Sequence, residues 1–129
     1  MRVVKPRLAR PQGIFIATKK WQTFFNKALQ RLQGLAACNW PGKAIERAGV
    51  VSKNVDVLDA QALQAAVAGH DVVINLVAIL HGNANSFEHN HVRLPSLIAQ
   101  ACRAQGVRRL IHISALGAEA QAPSLYQRS

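Results

Sequence analysis

Three histidines, His81, His89 and His91, fall within eleven residues of this 129-residue chain. Imidazole is the commonest metal ligand, so His89-x-His91 invites a metal reading. The spacing argues against it. Two ligands on one helix face need a separation of three or four, and no cysteine lies nearby. No metal site is assigned, and the three are expected to line a loop near a ligand cleft. His70 and His112 read as surface and sheet-face positions. Cys38 and Cys102 are too few and too far apart for a disulfide framework. Each reads as a buried small hydrophobe in a reducing, cytosolic protein. Tyr126 on its own reads as a surface aromatic.

A stronger signal comes from the elements that would position such groups. The runs GVVSKNVDVLD (49–59), DVVINLVAIL (71–80) and RRLIHISALGA (108–118) share one pattern. Each is a β-branched strand that ends in a small or polar residue and opens into a loop. Such runs predict a parallel sheet with its ligand site at the strand ends. Residues 50–58 form the first of these strands. Asp59 is a good N-cap for a helix over 60–68, and Gly69 ends it. Leu63, Ala66 and Val67 would face the sheet. Residues 72–79 are apolar on both faces, as a central parallel strand must be. His81-Gly82-Asn83 reads as a loop. A helix follows between residues 86 and 105, with Leu94, Leu97, Ile98 and Ala101 at helical spacing. Pro95 predicts a kinked or non-helical first turn there. Gly106 is the stop, 108–114 the third strand, and 116–123 a loop. The order is βαβαβ, so the crossovers should be right-handed.

Half the residues are hydrophobic, so the composition is globular. No run reaches the length of a membrane span. The net charge of +10 is unevenly placed. Residues 1–53 hold eleven Lys and Arg and one acid, Glu46, whereas residues 54–129 hold five of each sign. A split this sharp predicts two segments of different character, 1–48 and 49–129. Charge alone supports a nucleic-acid arm, so no nucleic-acid partner is assigned.

The series VDVLD, AGHDVVINLVAIL, AQGVRRLIHISALGA and Tyr126-Gln127-Arg128-Ser129 resembles the extended and atypical short-chain dehydrogenase/reductases. Within them it is most similar to the group of the Rossmann-fold accessory subunit of respiratory complex I, often described as NAD-dependent epimerase/dehydratase-like. The resemblance covers about residues 49–129. It implies an α/β fold: a partial Rossmann-like parallel sheet of the third to fifth strands with their crossover helices. It also implies NAD or NADP as cofactor. Asp56 matches the acid that accepts a hydrogen bond from the adenine amino group, and Val57 an apolar and backbone contact to that ring. Leu76, Val77 and Ala78 match the small-residue turn beside the nicotinamide ribose, with Ala78 in place of a more usual glycine. Ser114 matches a serine at the end of the fifth strand. Tyr126 matches the catalytic tyrosine of a Tyr-x-x-x-Lys motif. A tyrosine with a pKa near 10 is a poor base at neutral pH. A lysine one turn on lowers that pKa, so the phenol can exchange a proton while hydride passes to or from the nicotinamide. That lysine would follow Ser129, and Leu116 sits where a Ser or Thr partner is expected. His91 lies about where relatives often carry an asparagine.

The first segment lacks the Gly-x-x-Gly-x-x-Gly turn that rests a pyrophosphate on a helix N-terminus. Its glycines, Gly13, Gly34 and Gly42, have no such spacing. GIFIATKK is apolar like a strand, but no glycine turn follows. Trp21, Phe24, Phe25, Ala28 and Leu32 fall on one helical face among basic residues. The segment is open to four readings: a membrane-surface or partner-binding helix, a targeting presequence, a nucleic-acid arm, or a frame-shifted gene start. The last makes the chain a truncated copy with weak or absent dinucleotide binding and no turnover. The rival is an interaction module that docks a membrane surface or a respiratory complex. The expected location is cytoplasmic, with membrane association under that rival.

Overall fold

The computed structural model describes the backbone of residues 12–17 and 33–38 and the chain from residue 50 to 129, with side chains from Lys53 onward. In chain order the elements are β1 (Gln12–Ala17), β2 (Gln33–Cys38), β3 (Val50–Asn54), α1 (Ala60–Val67), β4 (Val72–Leu76), α2 (Ala84–Phe87), a π-helical turn (Glu88–Arg93), α3 (Leu94–Ala104), β5 (Arg109–His112) and α4 (Leu125–Arg128). The amphipathic face of Trp21 to Leu32 lies outside the described residues.

All the strand pairings are parallel, and the order across the sheet is β3-β2-β1-β4-β5. This is a mixed α/β, Rossmann-like sheet. It differs in one respect from a sheet of only the third to fifth strands. β3 and β4 are not neighbours: β1 and β2, from the basic segment, stand between them. GIFIATKK supplies most of β1, and its centre pairs Ile14 with Leu35 on one side and Val73 on the other.

Local chemistry explains the element ends. Asp59 caps α1, its carboxylate accepting the Gln61 and Ala62 N–H groups at 2.8 and 3.2 Å. Gly69 closes it at φ +76°, a left-handed conformation that disfavours side chains. Gly106 does the same after α3 at φ +67°. β3 stops at Asn54 because Asp56 builds a turn: its carboxylate accepts the Leu58 N–H at 3.0 Å and its carbonyl accepts the Asp59 N–H at 3.1 Å. Residues 84–104 form one helical stretch, and Pro95 does not break it. Leu94 donates its N–H to the His89 carbonyl, five residues back. The wide π turn lets α3 restart with Pro95 in its first turn, where a missing N–H costs little.

α1 and α3 pack together on one side of the sheet. Both crossovers run in the same direction along it, so right-handed connections put both helices on one face. Leu63, Val67, Val73 and Ile98 are fully buried there, with Val55, Val57, Ala66, Val77, Leu94, Ala101 and Cys102 around them. Burial pushes the Cys102 thiol pKa up, which keeps it in the neutral form. β5 is an edge strand in this sheet, and its Leu110 and Ile111 are exposed. No helix among the described residues is long and apolar enough to cross a membrane.

Candidate functional site

From β1 the chain winds outward through β2 to β3, then returns to the other side of β1 as β4 and β5. The winding direction therefore reverses between β1 and β4. At such a switch point the connections leave in opposite directions and open a crevice outside the carboxyl ends of the strands. Ala17 at the end of β1 pairs with Leu76 at the end of β4, which marks the crevice floor.

A pocket of about 370 Å³ lies at the β4 and β5 side of these ends. Val77 and Ala78, just past β4, form one wall. Ser114 and Leu116, past β5, line it from another side, and His91, His112, Tyr126 and Ser129 complete the polar part. The structure thus brings Val77, Ala78, Ser114 and Tyr126 into one pocket. Asp56, Val57 and Leu76 are not in it. Asp56 is exposed beyond β3, with one carboxylate oxygen engaged in its own turn. Val57 is buried in the helix-side core, so its side chain is committed to packing. Leu76 is buried at the end of β4.

Hydrogen bonds between distant elements set the pocket wall. Asn75 is 1% exposed, and both polar atoms of its side chain have a partner. Its Nδ2 donates to His112 Nδ1 at 3.0 Å, and its Oδ1 accepts the Val77 N–H at 3.1 Å. The two residues are register partners across β4 and β5. The Val77 amide is thereby turned out of the sheet ladder, which ends β4 at Leu76. His91 does similar work on the other side. Its Nε2 accepts the Ile79 N–H at 3.1 Å, and its Nδ1 lies 2.6 Å from Ser129 Oγ. An Nε2 that accepts leaves the proton on Nδ1, so Nδ1–H donates to Ser129. Ser129 Oγ in turn donates to the Tyr126 carbonyl at 2.8 Å.

The rings of Phe87, His91 and Tyr126 form a cluster, with His91 edge-on to Tyr126 at 5.6 Å between centroids. Tyr126 sits on α4, whose Ser124 cap accepts the Gln127 N–H at 3.2 Å. Arg128 fastens α4 to the preceding loop by donating to the Ala122 and Pro123 carbonyls at 2.7 and 2.9 Å. Burial first, and the charge of His112 second, hold the His91 pKa below its ordinary value of 6.5. Sequence reasoning put His91 near the cleft but read His112 as a sheet-face position and passed over Asn75. The missed signal was a lone amide inside the apolar run VVINLVAIL, where a buried polar group must find partners.

A family model described as NAD(P)H-binding matches residues 40–129, most of the chain. The chain belongs to the NAD(P)H-binding family. Over 75 residues, 57% of this member, it is 39% identical to the mouse (Mus musculus) mitochondrial NADH dehydrogenase [ubiquinone] 1 alpha subcomplex subunit 9, covering 20% of that protein. The chain therefore spans about a fifth of the length of that curated relative. Solved structures with the same fold include uronate dehydrogenase from Agrobacterium tumefaciens, with a TM-score of 0.72 at 16% identity, over 84% of this chain and 42% of that one. The Bordetella bronchiseptica enzyme WbmG in complex with NAD also has a TM-score of 0.72, at 20% identity, over 95% of this chain and 43% of that one. Glucuronic acid dehydrogenase from Chromohalobacter salexigens reaches 0.75 at 16% identity, over 90% of this chain and 50% of that one.

Proposed function

We propose that this NAD(P)H-binding family member holds the dinucleotide weakly across the carboxyl ends of its strands and does not turn it over. The observation that carries the reading is the switch point between β1 and β4, with the pocket of Val77, Ala78, Ser114 and Tyr126 beside it. The nicotinamide half fits this pocket. Small apolar residues past β4 let a planar ring approach the backbone, while the Ser114 hydroxyl and the Tyr126 phenol suit the ribose and a carboxamide. Adenine would lie at the β3 end, where Asp56 keeps one carboxylate oxygen outside its own turn. NAD(P)H supplies a hydride when bound. The residues of this chain orient the ring, exclude water with Val77 and Ala78, and present a phenol at Tyr126.

Two sequence features weaken the site. No glycine lies between Gly13 and Gly34, so the sequence after β1 lacks the glycine pattern that brings backbone N–H groups onto a pyrophosphate. Leu116 stands where a hydroxyl partner for Tyr126 is expected. Fluorescence titration of the full chain with NADH tests the reading. The expected dissociation constant is about 100 µM or weaker, a binding free energy of about −5.5 kcal/mol or less in magnitude. No saturable signal at millimolar NADH would overturn the cofactor reading. A low-micromolar constant would overturn the weak-binding one.

A further inference from the structure

His91 joins two walls of the pocket, the loop after β4 and the helix α4. Its Nε2 lone pair holds the Ile79 N–H, and its Nδ1–H holds Ser129, which holds the Tyr126 carbonyl. This arrangement exists in one protonation state only. A proton on Nε2 sets N–H against N–H, so the bond to Ile79 is lost and replaced by repulsion. The imidazole sits in a π-helical turn, half-buried against Phe87 and Tyr126, so it has little freedom to swing to another acceptor. We propose that His91 is a positioning residue that ties the loop after β4 to the Tyr126 helix only while its imidazole is neutral, so that the pocket accepts the dinucleotide in a proton-sensitive way. The cofactor arm of this inference rests on the NAD(P)H reading above; the clasp itself does not.

The surrounding charges agree. On its own turn His91 has Glu88 and Arg93, both exposed, and His89. The loop after β4 carries His81, and the loop after β5 carries Glu119, both exposed. On α4, Arg128 is committed to two carbonyls. No bond joins His91 to a carboxylate among the described residues. Burial is the first cause of the lowered His91 pKa; the second is that a proton on His112, across the pocket, would repel one on His91. A histidine whose folded pKa lies below the unfolded value binds fewer protons when folded. The clasp's contribution to stability is therefore full above about pH 6.5 and is lost as pH falls through the folded pKa.

The test is a pH titration of the full chain by NMR, reading the His91 ring nitrogens and the Ile79 amide, with NADH titrations at pH 5.5 and 7.5. The expected result is an Nδ1–H tautomer at neutral pH and an Ile79 amide shift that moves with the His91 midpoint, below pH 6.5. NADH binding should weaken at pH 5.5 in proportion to the neutral fraction lost. His91→Asn offers an acceptor and a donor but does not titrate. Its Ile79 amide and its NADH affinity should be flat over the same range. An Ile79 amide that ignores the His91 titration, or an Nε2–H tautomer at neutral pH, would overturn the clasp. If NADH binds at neither pH, the cofactor reading fails, while the Ile79 titration still decides the clasp. If the variant does not fold, the wild-type titration decides it alone.

Discussion

The carboxyl ends of β3 and of β4–β5 are built by different means. At the β3 end every described side-chain hydrogen bond is local. The Asp56 carboxylate bonds an amide two residues on, and the Asp59 carboxylate bonds amides two and three residues on. At the β4–β5 end the contacts join separate parts of the chain. Asn75 reaches His112, 37 residues away, and His91 reaches Ser129, 38 residues away. Local turns form with the chain that carries them. Long-range contacts form only with the sheet, and they make the pocket wall depend on the whole fold. One end of the crevice is thus set by short-range chemistry and the other by tertiary structure.

The largest expected effect comes from breaking the second kind of contact. Asn75→Ala removes the acceptor for the Val77 N–H and the donor to His112 Nδ1. His112 is exposed and can take water, but the buried Val77 residue leaves its amide without a partner. The expected loss is about 2–3 kcal/mol. Asp56→Ala removes a contact of the same kind at an exposed turn, and about 0.5 kcal/mol or less is expected. Urea unfolding of both variants measures the contrast. Equal losses would mean that the two ends do not differ in the way described.

The same division separates what could be read from the sequence and what could not. α1 was legible in full: Asp59 as cap, Leu63, Ala66 and Val67 as the buried face, and Gly69 as the stop. All of that information lies within eleven residues. The strands were legible as runs but read too long at their ends. Residues 55–58 and 77–79 are as apolar as the strands before them, yet Asp56 and Asn75 divert their amides into turns. Pro95 announced a disturbance, but not that a π turn over Glu88–Arg93 would absorb it. The resemblance named the three runs the third to fifth strands, but the two strands that stand between β3 and β4 were not legible, because no glycine turn follows Gly13 to announce them. Without β1 and β2 between them, β3 and β4 look like neighbours. The pocket was legible in part: Val77, Ala78, Ser114 and Tyr126 meet in it, whereas the Asn75–His112 pair depends on a register set by the whole sheet.

A smaller effect sharpens the local end. Asp59→Ala deletes the cap of α1 and leaves the Gln61 and Ala62 amides to water. The expected cost is about 1 kcal/mol. Because the cap acts only on the first turn of α1, the pocket should not respond. The chemical shifts of Ile79 and His112 are expected to stay in place while the unfolding midpoint falls. Movement of those shifts would show that α1 transmits strain to the β4–β5 end.

The smallest effect is expected at the opposite, amino ends of β4 and β5. There Arg108 Nη2 lies 2.9 Å from Asp71 Oδ1, and the Arg108 side chain is 72% exposed. This contact also spans 37 residues, the same separation as Asn75 to His112. It therefore separates sequence distance from burial as the cause of the first effect. An exposed ion pair gains little, because water screens both charges and ordering the long side chain opposes the attraction. The backbone bond from the Arg109 N–H to the Asp71 carbonyl, 3.2 Å, survives the substitution and keeps the strands in register. Arg108→Ala should cost about 0.5 kcal/mol or less, and less again at high salt. A loss as large as that of Asn75→Ala would mean that joining distant segments is itself what stabilises β5. The expected small loss instead assigns the difference to desolvation: the Asn75 amide is sealed from water, and the Arg108 guanidinium is not.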